Sequence, residues 1–149
     1  MMPILSQLRI YAESSYSVDV VLSLKDRHGF LTSHNFLSDA TGTLVYTFDD
    51  EHPVEHFLKL EFTGKTGNDD LRNLTLHIRA IVLDDLDMTN FFINVGFPYL
   101  HNLNGYSNKI IKNKFGRELG CDGTVDISFV TPVYQWVRSI YQTSKFESI

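Results

Sequence analysis

The sequence predicts an all-β fold, an antiparallel β-sandwich with jelly-roll-like connections and one short C-terminal amphipathic helix. Three observations predict it. Apolar and polar residues alternate in several short segments, turn residues separate those segments, and 11 Phe, 7 Tyr and 1 Trp are present among 149 residues. Alternation places one set of side chains in a core and the other in solvent, and aromatic residues favour strands. At this length we expect a single domain spanning residues 1–149.

Seven segments carry the strand signal. The clearest is 74–83, in which Leu74, Leu76 and Ile78 share one face and polar residues take the other. Its last four residues are apolar on both faces, so we expect something to cover that end. Each remaining segment alternates in the same way and ends near turn residues. These segments are 8–11, 18–25, 44–48, 57–62, 91–95 and 125–129.

A helical signal follows Thr131 and Pro132. Apolar residues then recur with the spacing i, i+3, i+4, i+7 and i+8, which predicts an amphipathic helix. Thr131 before Pro132 fits an N-cap followed by proline at the first helical position. We expect Trp136 to be the main anchor of this helix, packed on its own sandwich or docked on a neighbouring subunit. The apolar positions are Val133, Trp136, Val137, Ile140 and Tyr141.

Residues 98–121 are the least regular part of the chain. Asn, Gly, Tyr and His concentrate there, a mixture suited to adaptable contacts with a partner. If the protein has a binding loop, we expect it here. The candidate partner-binding residues are Tyr99, His101, Asn104 and Tyr106, together with Trp136 of the helix.

Charge and hydropathy argue against two classes of partner. The net charge is −5, and the densest basic stretch, 109–117, is followed at once by Glu118 and Asp122. Nucleic-acid binders usually carry a basic face, so we expect no nucleic-acid partner. No run approaches the ~18–20 apolar residues of a membrane span, and the first residues lack a signal-peptide pattern. We therefore expect synthesis in a cytoplasm and no membrane partner.

Two clusters invite a metal hypothesis. Asp84, Asp85 and Asp87 follow the longest strand, and carboxylates so placed can hold Ca²⁺, yet the pattern lacks the Gly and Glu of an EF-hand loop. The alternative is a solvated turn whose Asp side chains cap backbone amides. His52 and His56 lie four residues apart without further ligands at a zinc spacing. We assign no metal or cofactor site.

No catalytic motif is present. The chain contains no Gly-x-Ser-x-Gly elbow, no phosphate-binding Gly-rich loop and no dinucleotide fingerprint. Cys121 is the only cysteine, and a small buried residue explains it without invoking a reactive thiol. The sequence predicts a protein that is not an enzyme. A small enzyme with dispersed catalytic residues is the remaining alternative.

Four phrases, in order along the chain, resemble small β-sandwich proteins of tailed bacteriophages that are themselves similar to carbohydrate-binding modules. They cover about the C-terminal two thirds of the sequence. Such proteins usually have glycine where this chain has Asp85, so no shared ligand role is implied there, and no catalytic or metal residue is carried over. The phrases are 58–65 (LKLEFTGK), 76–89 (LHIRAIVLDDLDMT), 99–105 (YLHNLNG) and 119–136 (LGCDGTVDISFVTPVYQW).

The resemblance implies a non-enzymatic structural protein of a phage virion, in the tail, the neck or the capsid decoration, made in the host cytoplasm. It would act by assembly with other virion proteins and with copies of itself. The alternative is a carbohydrate-binding module, with or without calcium, that recognises host surface glycan through Tyr99, Tyr106 or another exposed aromatic ring. Both interpretations can hold for one protein.

Overall fold

The computed structural model describes residues 5–147, with side chains described through residue 141. Two antiparallel sheets pack face to face, which confirms the predicted all-β sandwich. The smaller sheet contains β1 (Leu5–Ser14), β4 (Thr41–Asp49), β6 (Leu76–Leu83), β7 (Leu86–Asp87) and β10 (Glu118–Leu119). Its strands lie in the order β10-β6-β1-β4, with β7 paired to β6.

The larger sheet has six strands in the order β3-β2-β5-β11-β8-β9. The chain passes from one sheet to the other after β1, β3, β4, β5, β7, β9 and β10. A one-turn 3-10 helix over Asp69–Leu71 lies between β5 and β6. The six strands are β2 (Val21–Asp26), β3 (Gly29–Asn35), β5 (Glu55–Thr63), β8 (Pro98–His101), β9 (Ile111–Lys114) and β11 (Gly123–Val130).

The core lies between the sheets and is built from the faces that alternation predicted. In β5, for example, Leu58, Leu60 and Phe62 are each exposed by 2% or less. A bulge changes the alternation in β6, because the register with β1 shifts between Tyr11 and Ala12. Strict alternation from Leu76 and Ile78 would place Ala80 and Val82 in the core. After the bulge it is Ile81 that is buried there instead.

The segment 91–95 forms a helix, and the predicted strand there is wrong. Helix α1 (Thr89–Val95) ends at Gly96, whose φ of +79° is the left-handed conformation that favours glycine. Phe91 and Phe92 are both buried, which two neighbouring residues achieve on a helix but not on a strand with one solvated face. Helix α1 packs on β6, and the Thr89 hydroxyl accepts a hydrogen bond from the Ile81 amide at 2.9 Å. It supplies the cover expected over the apolar end of β6.

The C-terminal helix α2 (Val133–Glu147) is confirmed, but its N-terminal partner is not Thr131. The Val133 amide donates to Asp50 Oδ1 at 2.7 Å, and the buried Thr131 hydroxyl bonds to the carbonyl of Val54 at 3.2 Å instead. Trp136 packs edge-on against Phe91, with ring centroids 5.3 Å apart. The helix thus packs on its own sandwich. Neither helix in residues 5–147 is long and apolar enough to cross a membrane.

The segment 98–121 is more regular than its sequence indicates. It contains β8, β9 and the two-residue strand β10, and only residues 102–110 form a loop between strands of the larger sheet. The stretch had no clear alternation because its strands are only two to four residues long.

Candidate functional site

An open groove of about 480 Å³ lies on the outer face of the larger sheet. Alternation explains which side chains reach it. In β5 the leucines point inward, so Phe57 and Lys59 point outward, and in β11 the same argument turns Asp126 and Ser128 outward. Pro98, at the start of β8, forms the opposite wall.

Strand register places these residues in two cross-strand rows. Lys59 lies between Lys25 of β2 and Asp126 of β11. In the next row Phe57 lies directly opposite Ser128. Residues paired in this way have Cβ atoms about 4.5–5.5 Å apart, so they form one continuous surface. The groove therefore combines an aromatic ring, a hydroxyl and charges of both signs.

Phe57 is the aromatic element of the groove. Its side chain is 40% exposed, and the guanidinium carbon of Arg27 lies over the ring, 4.3 Å from the centroid. Arginine stacked on an aromatic face keeps its donors free at the edge of the guanidinium plane. The pair therefore presents apolar surface and hydrogen-bond donors side by side.

Positive charge exceeds negative charge on this face. Lys25 forms an ion pair with Glu61 at 3.0 Å. Two lysines of β9 continue the face, since Lys112 lies opposite Leu100 and Lys114 opposite Pro98. Among the side chains that the structure describes, no carboxylate forms an ion pair with Arg27, Lys59, Lys112 or Lys114.

A second, smaller pocket of about 230 Å³ adjoins the groove and shares Asp26, Arg27 and Phe57 with it. It contains a half-buried pair in which the Tyr46 hydroxyl lies 2.8 Å from His56 Nδ1. The His56 ring stacks on Phe129, with centroids 4.9 Å apart. Burial lowers the pKa of His56 and raises the pKa of Tyr46. Both groups are therefore held in their neutral forms near neutral pH.

Two of the candidate partner-binding residues lie in the core. Tyr99 is 7% exposed, and its hydroxyl donates to the Cys121 carbonyl at 2.5 Å and accepts from the Cys121 amide at 3.0 Å. Burial raises the pKa of Tyr99 to about 12. His101 is also buried, with Nε2 2.6 Å from Asn113 Oδ1. A sugar therefore has no access to the Tyr99 ring, contrary to the expectation from the sequence.

The other three candidates lie apart from the groove. Asn104 accepts a hydrogen bond from the Asp122 amide at 2.7 Å, which holds the 102–110 loop beside the start of β11. Tyr106 projects from this loop with 75% of its side chain exposed, and its hydroxyl donates to Asp69 at 2.7 Å. Trp136 is half-buried against the aromatic core. The structure thus separates Tyr106 and Trp136 from each other and from Phe57.

The acidic turn behaves as the capping alternative predicted. Asp84 accepts from the Gln7 amide at 2.9 Å, and Asp87 accepts from the Thr89 amide at 2.9 Å. His52 pairs with Asp49 rather than with His56. In the part of the chain that the structure describes, no three His, Cys, Asp or Glu residues are grouped so as to hold a metal ion.

Alternation in the predicted strand 57–62 puts Phe57 and Lys59 on the face opposite Leu58, Leu60 and Phe62, but the sequence assigned them no role. A large aromatic residue at an outward position was the available signal. The sequence did not predict that Arg27, Asp126 and Ser128 line the groove, because strand register and a hairpin bring them to the same surface from distant positions.

No protein-family model matches the chain, and no curated protein matches it. Two solved structures of vCBM60 are similar. One is the selenomethionine form, from work on a circular permutation linking two families of calcium-dependent carbohydrate-binding modules. It has 12% identity, covers 81% of this chain and 88% of its own, and has a TM-score of 0.49. The other is vCBM60 in complex with galactobiose, with 12% identity; it covers 80% of this chain and 95% of its own, and has a TM-score of 0.45.

Both similarities are distant, and no residue or ligand is transferred from these structures to this chain. The resemblance to phage proteins has no counterpart among these matches.

Proposed function

We propose that this chain is a non-catalytic carbohydrate-binding protein whose glycan lies in the groove across β2, β5, β11 and β8. The observation that carries the proposal is Phe57, a large ring 40% exposed on an open sheet face and surrounded by charged and hydroxyl side chains. Exposed apolar surface with a polar rim is typical of a ligand-binding groove.

The groove matches the chemistry of a sugar ring. One face of a pyranose presents C–H groups that pack on an aromatic or apolar surface, which Phe57 and Pro98 offer. Its hydroxyls need donors and acceptors at the rim, which Lys59, Asp126 and Ser128 offer. The volume of about 480 Å³ is within the usual range for small-ligand sites, about 300–1,000 Å³.

The test is a glycan array followed by calorimetry on the best ligand. We expect Phe57→Ala to weaken binding by about tenfold or more, because an aromatic anchor at the centre of a site carries much of the affinity. Tyr134→Ala, at an exposed ring of α2 away from the groove, should bind like the wild type. Circular dichroism and thermal midpoints establish that both variants fold.

Two results would contradict the proposal. A blank array would remove the carbohydrate function. Loss of binding on Tyr106→Ala, with Phe57→Ala unaffected, would move the site to the 102–110 loop, where the exposed ring of Tyr106 is the alternative platform.

Assembly with copies of itself or with other virion proteins is a second candidate, favoured by the edge of the smaller sheet. Strand β4 ends that sheet, and its nine residues contain no Lys, Arg or Pro, the residues that commonly protect edges from pairing. Light scattering should then give the mass of an oligomer, reduced toward that of a monomer by Val45→Lys. A monomeric wild type that binds no virion component would rule this role out.

A further inference from the structure

We infer that the groove selects an anionic glycan, one that carries uronate carboxylates or sulfate esters. The inference rests on the proposed function and names the substrate class of the same site. It starts from an asymmetry of charge. The chain has a net charge of −5, yet its groove face is rich in cations. The cations are Lys25, Arg27, Lys59, Lys112 and Lys114.

Four carboxylates share this face with the five cations: those of Asp26, Glu55, Glu61 and Asp126. In the described structure only that of Glu61 forms an ion pair. Glu61 is committed to Lys25 at 3.0 Å. Asp26 accepts the His28 amide at 2.8 Å and so is bound within the hairpin turn. Asp126 lies across from Lys59 without reaching ion-pair distance in the described structure, and Glu55 lies at the end of the face, in the second pocket. Among the described side chains, four cations therefore have no ion-pair partner and are left for a ligand: Arg27, Lys59, Lys112 and Lys114.

The placement of two lysines also favours an anion. Lys25 and Lys59 are direct cross-strand neighbours on the solvated face. Like charges directly opposite one another destabilise a sheet, although each lysine also has a carboxylate neighbour: Glu61 lies 3.0 Å from Lys25, and Asp126 lies across from Lys59. An anionic group held between the two ammonium groups would be attracted by both.

Arg27 supplies the directional contact. Its guanidinium lies over Phe57 at 4.3 Å, which holds the plane beside the groove. A guanidinium edge matches the two oxygens of a carboxylate or sulfate in a bidentate pair. The lysines of β9, at the far end, extend the positive surface over four strand spacings, about 19 Å. This length suits several successive charged sugars.

The experiment compares two polymers, each in a more and a less negatively charged form. Calorimetry is done with homogalacturonan oligosaccharides as free acids and as methyl esters, and with chondroitin sulfate before and after desulfation. We expect at least one anionic form to bind about tenfold or more tightly than its neutral or desulfated counterpart, with affinity falling as NaCl rises from about 50 to about 300 mM. Lys59→Gln should weaken that binding about three- to tenfold, whereas Lys109→Gln, a lysine in the loop away from this face, should not.

A variant that is expected to bind more tightly complements the test, because misfolding cannot produce a gain of affinity. Asp126→Asn removes the carboxylate that would repel the ligand, so we expect it to tighten anionic binding about threefold. Equal, salt-independent binding of charged and neutral forms would overturn the inference while the carbohydrate function stands. Tighter binding of a single-stranded oligonucleotide would overturn it in favour of nucleic acid. If no glycan of either kind binds, both proposals are wrong.

Discussion

The Nζ atom of Lys65 lies 2.5 Å from the carbonyl oxygen of Leu74, although the lysine side chain is only 2% exposed. The same ammonium donates to the carbonyl of Gly120 at 2.6 Å and to that of Arg72 at 3.3 Å. Three carbonyls from two distant stretches of chain thus converge on one buried cation. Lys65 therefore acts as an internal cross-link between the 3-10 segment and the entry to β11.

Replacing Lys65 should destabilise the fold. Burial lowers the pKa of the Lys65 ammonium, and the nearby carboxylate of Asp122 acts in the opposite direction. Lys65→Met keeps the aliphatic stem but leaves three carbonyls without their donor. We expect the free energy of unfolding to fall by about 2–4 kcal/mol, because buried polar groups without partners are costly. Urea denaturation measures this.

Lys109→Met is the matched control, since Lys109 is exposed in the 102–110 loop. Exposed substitutions of this kind usually change stability by less than about 0.5 kcal/mol. Equal stabilities of the two variants would show that the carbonyls around Lys65 find other donors.

Gly123 shows how closely β11 and β8 approach each other. A Cβ atom at this position would lie 2.2 Å from the Leu100 carbonyl oxygen and 3.0 Å from His101 Cβ. The oxygen belongs to the backbone of a paired strand, so it cannot move away without disturbing the ladder. We expect Gly123→Ala to lower the free energy of unfolding by about 2–3 kcal/mol.

Gly116→Ala tests the same chemical change where space is free, because no atom lies within 4 Å of a Cβ built there. Its stability should stay within about 0.5 kcal/mol of the wild type. A small effect at Gly123 would mean that β8 is able to shift, and with it the Pro98 wall of the groove.

The sequence was sufficient to predict the strands that bury one face. In β5 and β11 every second residue is apolar, and burial of that face selects the strand conformation. Strand β3 was missed because it lies at a sheet edge and none of its residues is buried, so no alternation was required. Helix α1 was predicted as a strand because alternate residues 91, 93 and 95 are apolar, while the neighbouring pair Phe91 and Phe92 carries the real packing signal.

The candidate site was harder to predict for a physical reason. Tyr99 lies in a segment whose composition is typical of a loop. Only the pairing of β8 with β11 shows that its ring is buried and that its hydroxyl is hydrogen-bonded to Cys121. Arg27 and Asp126 meet Phe57 through contacts between residues far apart in sequence. Alternation assigns a residue to a face, but it carries no information on which distant strand lies beside it.

His56 predicts a pH dependence of stability. Burial lowers its pKa from 6.5, with Asp50 and Asp49 partly opposing the shift. The unfolded chain therefore takes up a proton at His56 at a higher pH than the folded protein does. Stability from this group is complete above pH 6.5 and is lost as the pH falls through the lowered pKa of the folded state. Between those two values, lower pH favours unfolding.

The measurement is the free energy of unfolding of the wild type and of His56→Gln, from about pH 7.5 to about pH 5. The wild type should lose more stability over this interval than the variant, since Gln does not titrate. Tyr46→Phe separates the causes, because it removes the hydroxyl 2.8 Å from His56 Nδ1 but leaves the ring buried. Burial is the largest cause of the shift, so Tyr46→Phe should retain the wild-type slope. Parallel curves for the wild type and His56→Gln would show that the folded protein binds the His56 proton as readily as the unfolded chain does.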